Sequence, residues 1–171
     1  MRKEALFLNG VYESVLNDIL DIQEILPEQI LYLQPYSSER IVHLAENPPS
    51  IDDPVRLLMS VTDDLPNVKF ICEIVGWDDK RDLAGIKLDV LNRIIYTLQW
   101  PEQGVYKTIN DLGSECVNLI YVRRLTKLSQ PIYVQELINS TTNEHLSPNR
   151  TTAGGWIYVY NPTDDWLANF L

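Results

Sequence analysis

Covalent chemistry needs groups that share or shuttle protons, and this chain offers few in a usable arrangement. Its two histidines, His43 and His145, lie far apart, and neither has a cysteine or carboxylate at ligand spacing. No metal site is expected from them. The carboxylates come as neighbours, at Asp52-Asp53, Asp63-Asp64, Asp78-Asp79 and Asp164-Asp165. Adjacent residues on a strand point to opposite faces. All four pairs read as turn chemistry rather than as acid–base dyads. There is no Gly-x-Ser-x-Gly elbow and no Cys/His dyad. Gly154-Gly155 lacks the lysine and the glycine spacing of a phosphate loop. Cys72 and Cys116 sit in apolar runs and read as small buried hydrophobes. The expectation is a protein that is not an enzyme and carries no cofactor or metal.

What remains is the chemistry of amides and aromatic rings at strand ends. Gln34 offers both a donor and an acceptor. Tyr36, Trp77, Trp100 and Trp156 offer stacking faces, and a base stacked on such a ring gains about 1–3 kcal/mol. Trp77 and Trp156 each stand where an apolar run meets a polar loop. Asn9, Gln34, Tyr36, Ser37, Trp77 and Trp156 are therefore the candidate ligand-binding residues. Arg123, Arg124, Lys127 and Arg150 are the candidates for a nucleic-acid backbone.

The elements that must position these groups follow from periodicity. Ala5–Leu8 reads as a short strand broken by Asn9-Gly10. Val11–Ile25 has helical spacing, with Val11, Val15, Ile19, Ile22 and Leu26 on one stripe. Asn9 or Gly10 is the expected cap, and Pro27 marks the exit. Ile30–Gln34 is a second strand. Residues 36–54 read as a loop holding a short edge strand at Ile41–Leu44. Val55–Val61 and Val68–Gly76 form a hairpin around Asp63–Asn67. Phe70, Cys72 and Ile74 share one face of its second strand and Ile71 and Val75 the other, so that strand is expected to be central. Lys87–Gln99 reads as a second helix, Val117–Leu125 as a strand, and Pro131 as the opening of a short helical stretch over Val134–Ile138. Residues 139–153 read as polar loop and Trp156–Tyr160 as a final strand. The order is not alternating βαβ. An α+β fold with a curved, mostly antiparallel sheet or partial β-barrel and two main helices is expected.

At 171 residues the chain reads as a single domain, 1–171, with residues 78–116 an insertion carrying a helix. No apolar run approaches the ~20 residues of a membrane span, and the basic start has too short an apolar stretch for a signal peptide. The expected setting is cytoplasmic, with no membrane partner. The net charge is −10. Residues 1–85 hold 16 acidic and 7 basic side chains, whereas residues 86–160 hold 6 and 7. The acidity thus belongs to the first half, and it weakens any unspecific attraction to nucleic acid.

From Ile30 onward the layout resembles the PUA-like superfamily, and most closely its EVE-like branch. Four elements carry the resemblance. They are Ile30–Ser38, an apolar strand entering a polar loop; Pro54–Val61, a strand before a turn; Val68–Gly76, ending in Val-Gly; and Arg123–Leu137, a strand, a proline and a short helix. The resemblance implies a compact, barrel-like domain whose pocket accepts a flipped or modified nucleobase. It also implies nucleic acid with a modified base as the partner, within a defence or nucleic-acid-modification system. The Val11–Ile25 helix and the acidic first half depart from that pattern. They favour an alternative, a protein-interaction module acting as adaptor or inhibitor on a protein partner.

Overall fold

The computed structural model describes residues 2–35, 39–83, 117–148 and 155–171. In chain order these form β1 (Glu4–Val11), α1 (Glu13–Ile25), β2 (Leu31–Leu33), α2 (Val42–Glu46), β3 (Val55–Val61), β4 (Asp64–Asp79), β5 (Asn118–Tyr133), β6 (Gly155–Tyr160) and α3 (Asp164–Leu167). Single 3-10 turns follow β4, at Lys80–Asp82, and β5, at Val134–Glu136. The strands make one six-stranded sheet in the order β2-β5-β4-β3-β1-β6. The fold is α+β, and the sheet is open rather than closed into a barrel. It is mostly antiparallel, as expected, with the one parallel pairing among its described strands between β1 and β3. The crossover through α1, β2 and α2 brings β3 back alongside β1 in the same direction.

Both faces of the sheet are covered. Along β1, Leu6 and Leu8 enter one apolar cluster and Ala5 and Phe7 the other. That is why β1 reads as an unbroken apolar run rather than an alternating one. On the first face, Val15, Leu16 and Ile19 of α1 lie over Leu57, Met59, Phe70 and Cys72. On the second face, Val134, Leu137, Leu146 and Leu167 cover Phe7, Leu58 and Val159. β4 lies between β3 and β5, as its two apolar faces predict. No helix among the described residues is long and apolar enough to cross a membrane.

Several boundaries differ from the sequence reading, each for a local reason. Asn9-Gly10 does not break β1. The strand bends through a register shift between Leu8 and Val11, where Gly10 adopts a φ of 86°, a region open to glycine. The residue before α1 is Tyr12, with no side-chain cap, so neither Asn9 nor Gly10 fills that role. Ile41–Leu44 is not an edge strand; it leads into the single helical turn of α2. Pro66 and Pro131 do not end strands. Each falls at a register shift, opposite irregular stretches of β3 and β4 respectively, the places where a strand tolerates proline. β4 and β5 therefore reach 16 residues each. Of the acidic pairs, Asp78-Asp79 closes β4 and Asp164-Asp165 opens α3 rather than lying in turns. The expected helix Lys87–Gln99, and with it most of the 78–116 insertion, lies outside the described residues.

Candidate functional site

The site is built where β4 ends and β5 begins. Asn118, the first residue of β5, is fully buried. Its Oδ1 accepts from the Ile41 backbone N–H (3.0 Å) and from Trp77 Nε1 (3.1 Å), and its Nδ2 donates to the Glu39 carbonyl (2.7 Å). One side-chain amide thus ties the segment before α2 to the ring of Trp77. A buried amide is stable there only because both its ends are satisfied.

The same bonds place Arg40 over the indole. Its guanidinium carbon lies 5.0 Å from the Trp77 ring centre, within cation–π range. Asp79, buried one strand position beyond Asp78, holds the neighbouring charges. Its carboxylate accepts from Arg81 Nε (2.9 Å), Nη2 (2.6 Å) and the Arg81 backbone N–H (2.9 Å), with Arg40 Nη1 at 3.7 Å. The bonds from Arg81 hold the Asp79 carboxyl below the usual carboxylate range, against the opposing effect of burial. Beside it, the Tyr121 hydroxyl donates to Asp78. Burial, reinforced by that carboxylate, pushes the phenol upward and keeps it protonated.

A second feature lies on the far side of α2. There a cavity of about 460 Å³ opens between α2 and the ends of β1, β3 and β6. His43 meets Tyr158 edge-on at 4.1 Å, and Trp156 meets the same tyrosine edge-on at 5.8 Å. The segment 39–47 thus touches the sheet through Arg40 on Trp77 and through His43 on Tyr158.

The expected ligand residues divide between two ends of the sheet. Gln34 follows β2, buried, and the register Leu33–Ile120–Trp77 puts it at the Trp77 end. Trp156 pairs with Leu8 and Asn9 with Gly155, so these two stand at the other end, half-buried and buried. Asn9 Oδ1 accepts from the Ser60 hydroxyl (3.2 Å), a contact inside the sheet. Tyr36 and Ser37 lie outside the described residues, as does Arg150. The remaining basic candidates are all engaged by acids. Arg123 Nε reaches Glu73 (2.7 Å), Arg124 reaches Glu28 (3.3 Å) and Glu73 (3.6 Å), and Lys127 reaches Glu13 (3.9 Å). Cys72 is buried, and burial raises its thiol so that it stays protonated.

Sequence reasoning missed Asn118, Arg40 and Tyr158. Asn118 carried a signal: an amide inside the otherwise apolar run Val117–Val122 must find internal partners. Arg40 carried none, since its role depends on a contact between segments 37 positions apart.

No family model matches the chain, and no curated protein does. Among solved structures it is similar to the ASCH protein from Zymomonas mobilis, at 11% identity and a TM-score of 0.46, covering 96% of this chain and 92% of that one. It is also similar to the N-terminal domain of McrB from Staphylothermus marinus, at 9% identity and a TM-score of 0.42, covering 96% and 91%. At that identity and overlap neither likeness bears on what this chain binds.

Proposed function

We propose that the chain is a noncatalytic binding module of PUA-like type that grips a single modified or extruded base of a nucleic acid at Trp77. One observation carries this reading. The indole is fixed by Asn118 and already has a planar cation, the Arg40 guanidinium, over its ring. A ring held in place to receive one flat group can receive another. The Arg40 side chain is 46% exposed, so it can swing aside or close over a base as a second stacking layer. Gln34 stands at the same end of the sheet as Trp77. The charge of −10 and the pairing of Arg123, Arg124 and Lys127 with acids keep unspecific phosphate attraction small. Discrimination then rests on the base.

The test is titration with modified, unmodified and abasic oligonucleotides at fixed salt. The wild type is expected to prefer a modified base. Trp77→Ala should weaken that binding by about 5- to 150-fold, the range of one stacking contact, while Trp77→Phe keeps most of it. Equal failure of all oligonucleotides would reject the reading. The alternative, a protein-interaction module, would then lead. One feature favours it. Ile25 and Leu26 are exposed at the end of α1, beside acidic Glu24 and Glu28.

A further inference from the structure

The stacking face of Trp77 is already taken by a positive charge. Arg40 places its guanidinium carbon 5.0 Å from the ring centre, and the electron-rich face of an indole attracts a cation. A second attraction comes from Asp79. Arg40 Nη1 stands 3.7 Å from Asp79 Oδ2, on a side chain only 2% exposed. The Arg40 charge also helps to hold the Asp79 carboxyl below its ordinary range, after the bonds from Arg81. The position over the indole thus favours a planar cation twice, through the ring and through a carboxylate that water screens little.

Arg40 is held there loosely. Its distance to Asp79 is beyond hydrogen-bond length, and its side chain is 46% exposed. Arg2, Arg56, Arg81 and Arg123 by contrast each donate a side-chain hydrogen bond of 2.9 Å or shorter. The ring is fixed where the arginine is not, since Trp77 Nε1 donates to Asn118 Oδ1 at 3.1 Å. Asp79 has three bonds from Arg81 that do not involve Arg40. Neither the indole N–H nor the buried carboxylate therefore loses a hydrogen bond when Arg40 swings into water. What is lost is the positive charge on the ring face and beside Asp79. A neutral base stacked in that place leaves the attraction unused, and a base carrying a positive charge restores it. Arg81 already pairs with Asp79, so the exchange is of one cation for another.

We propose that the Trp77 site takes a base made cationic by methylation of a ring nitrogen, in exchange for Arg40. This rests on the reading of Trp77 as a base-binding ring, and it names the class of modification. Arg40 is then a built-in competitor of the ligand rather than a second layer over it, because like charges stacked on one another repel. The net charge of −10 acts in the same direction, since it opposes phosphate and favours a cationic base.

The experiment compares nucleosides that carry one methyl group at different positions, so that at neutral pH one is cationic and the other neutral. Calorimetry measures binding to the full chain of 1-methyladenosine against N6-methyladenosine, and of 3-methylcytidine against 5-methylcytidine, the first of each pair being the cation. The cation should bind about 2- to 30-fold more tightly, the worth of a cation–π contact. Arg40→Ala should tighten that binding further, because the built-in cation no longer competes. Asp79→Asn, measured where circular dichroism shows it folded, should bring the two members of each pair closer together. Equal or tighter binding of the neutral nucleosides overturns the proposal and leaves the base-binding reading standing, whereas failure of all four, free and within oligonucleotides, ends both. Unchanged or weaker binding of the cations to Arg40→Ala also overturns it, since Arg40 is then a layer of the site and not its competitor. Arginine amide bound as tightly as the cationic nucleosides overturns it in favour of an arginine on a protein partner.

Discussion

Gly76 shows what a single missing atom does. It stands opposite Tyr121 in the β4–β5 ladder, and a Cβ at that position would lie 2.6 Å from Tyr121 Cδ2 and 3.3 Å from Cγ. The ring has little room to retreat. Tyr32 meets it edge-on at 5.2 Å, and its hydroxyl is held by Asp78. Gly76→Ala is therefore expected to cost about 1–3 kcal/mol, as overpacking does. Denaturant unfolding should show a lower midpoint with an unchanged slope; an unaltered midpoint would mean that the ring moves aside. In the sequence, Val75-Gly76 looks like the end of a strand. Nothing local says that β4 continues to Asp79 or that the glycine exists for a tyrosine 45 positions later. The same holds for Arg124, at a φ of 55°. Its place in a bulge opposite Cys72 follows from the register of two strands and not from its neighbours.

Among the elements, α1 has a second task beyond covering the sheet. β2 pairs with β5 only from Ile120 to Val122, so among the described residues no strand lies beside the outer edge of β5 past that point. Gln23 takes that place. Its Nε2 donates to Leu125 O (2.9 Å) and its Oε1 accepts from Leu125 N–H (2.7 Å), the pair of bonds that a neighbouring strand would make. Leu125 is buried, so Gln23→Leu would strand both groups and cost about 1–3 kcal/mol. Hydrogen exchange should show the Leu125 amide losing protection first; unchanged protection would contradict the role. The helix itself was legible, since Val15 and Ile19 of the predicted stripe are buried and Ile22 partly so, but its ends were not: Val11 closes β1 and Leu26 lies exposed beyond the helix. The amide bridge was not, because helical periodicity reports which face is apolar and says nothing about which polar residue meets a bulge. β3 was readable to the residue from its largely apolar run between two valines. Ile41–Leu44 was not, since four apolar-rich residues suit a strand or a helical turn equally.

For the molecule as a whole, acidity and stability are coupled with a definite sign. Asp64 and Asp79 both titrate below their ordinary range, held by hydrogen bonds from Lys69 and Arg81. A depressed carboxyl contributes stability in full above its unfolded value, about pH 4, and loses it as pH falls through the folded value. Asp18 acts the other way, since burial and Asp21 raise it. Comparing wild type with Asp79→Asn isolates one contribution. The melting temperature of the variant should be lower at pH 7 and should fall less than the wild type's between about pH 5 and pH 3. Parallel curves would show that the Arg81–Asp79 pair contributes nothing net. Such long-range arrangements are where sequence reading stops. The apolar strands, and the expectation that β4 is central, were visible in composition. The candidate site was visible only as scattered parts, because Trp77, Arg40 and Asn118 meet across three separate segments.

The place of β1 in the sheet also sets an order of events during synthesis. β1 lies between β3 and β6, and Gly155, where β6 begins, follows Val61, where β3 ends, by 94 positions. At about 5–20 residues per second, a growing chain that has emerged through β3 waits roughly 5–20 seconds for β6. During that interval the outer edge of β1, with Leu6 and Leu8 on one face and Phe7 on the other, has no partner. An unpaired apolar edge is a template for another chain. Slowing translation between β3 and β6 should therefore lower the soluble yield, since β6 is the strand that covers this edge of β1.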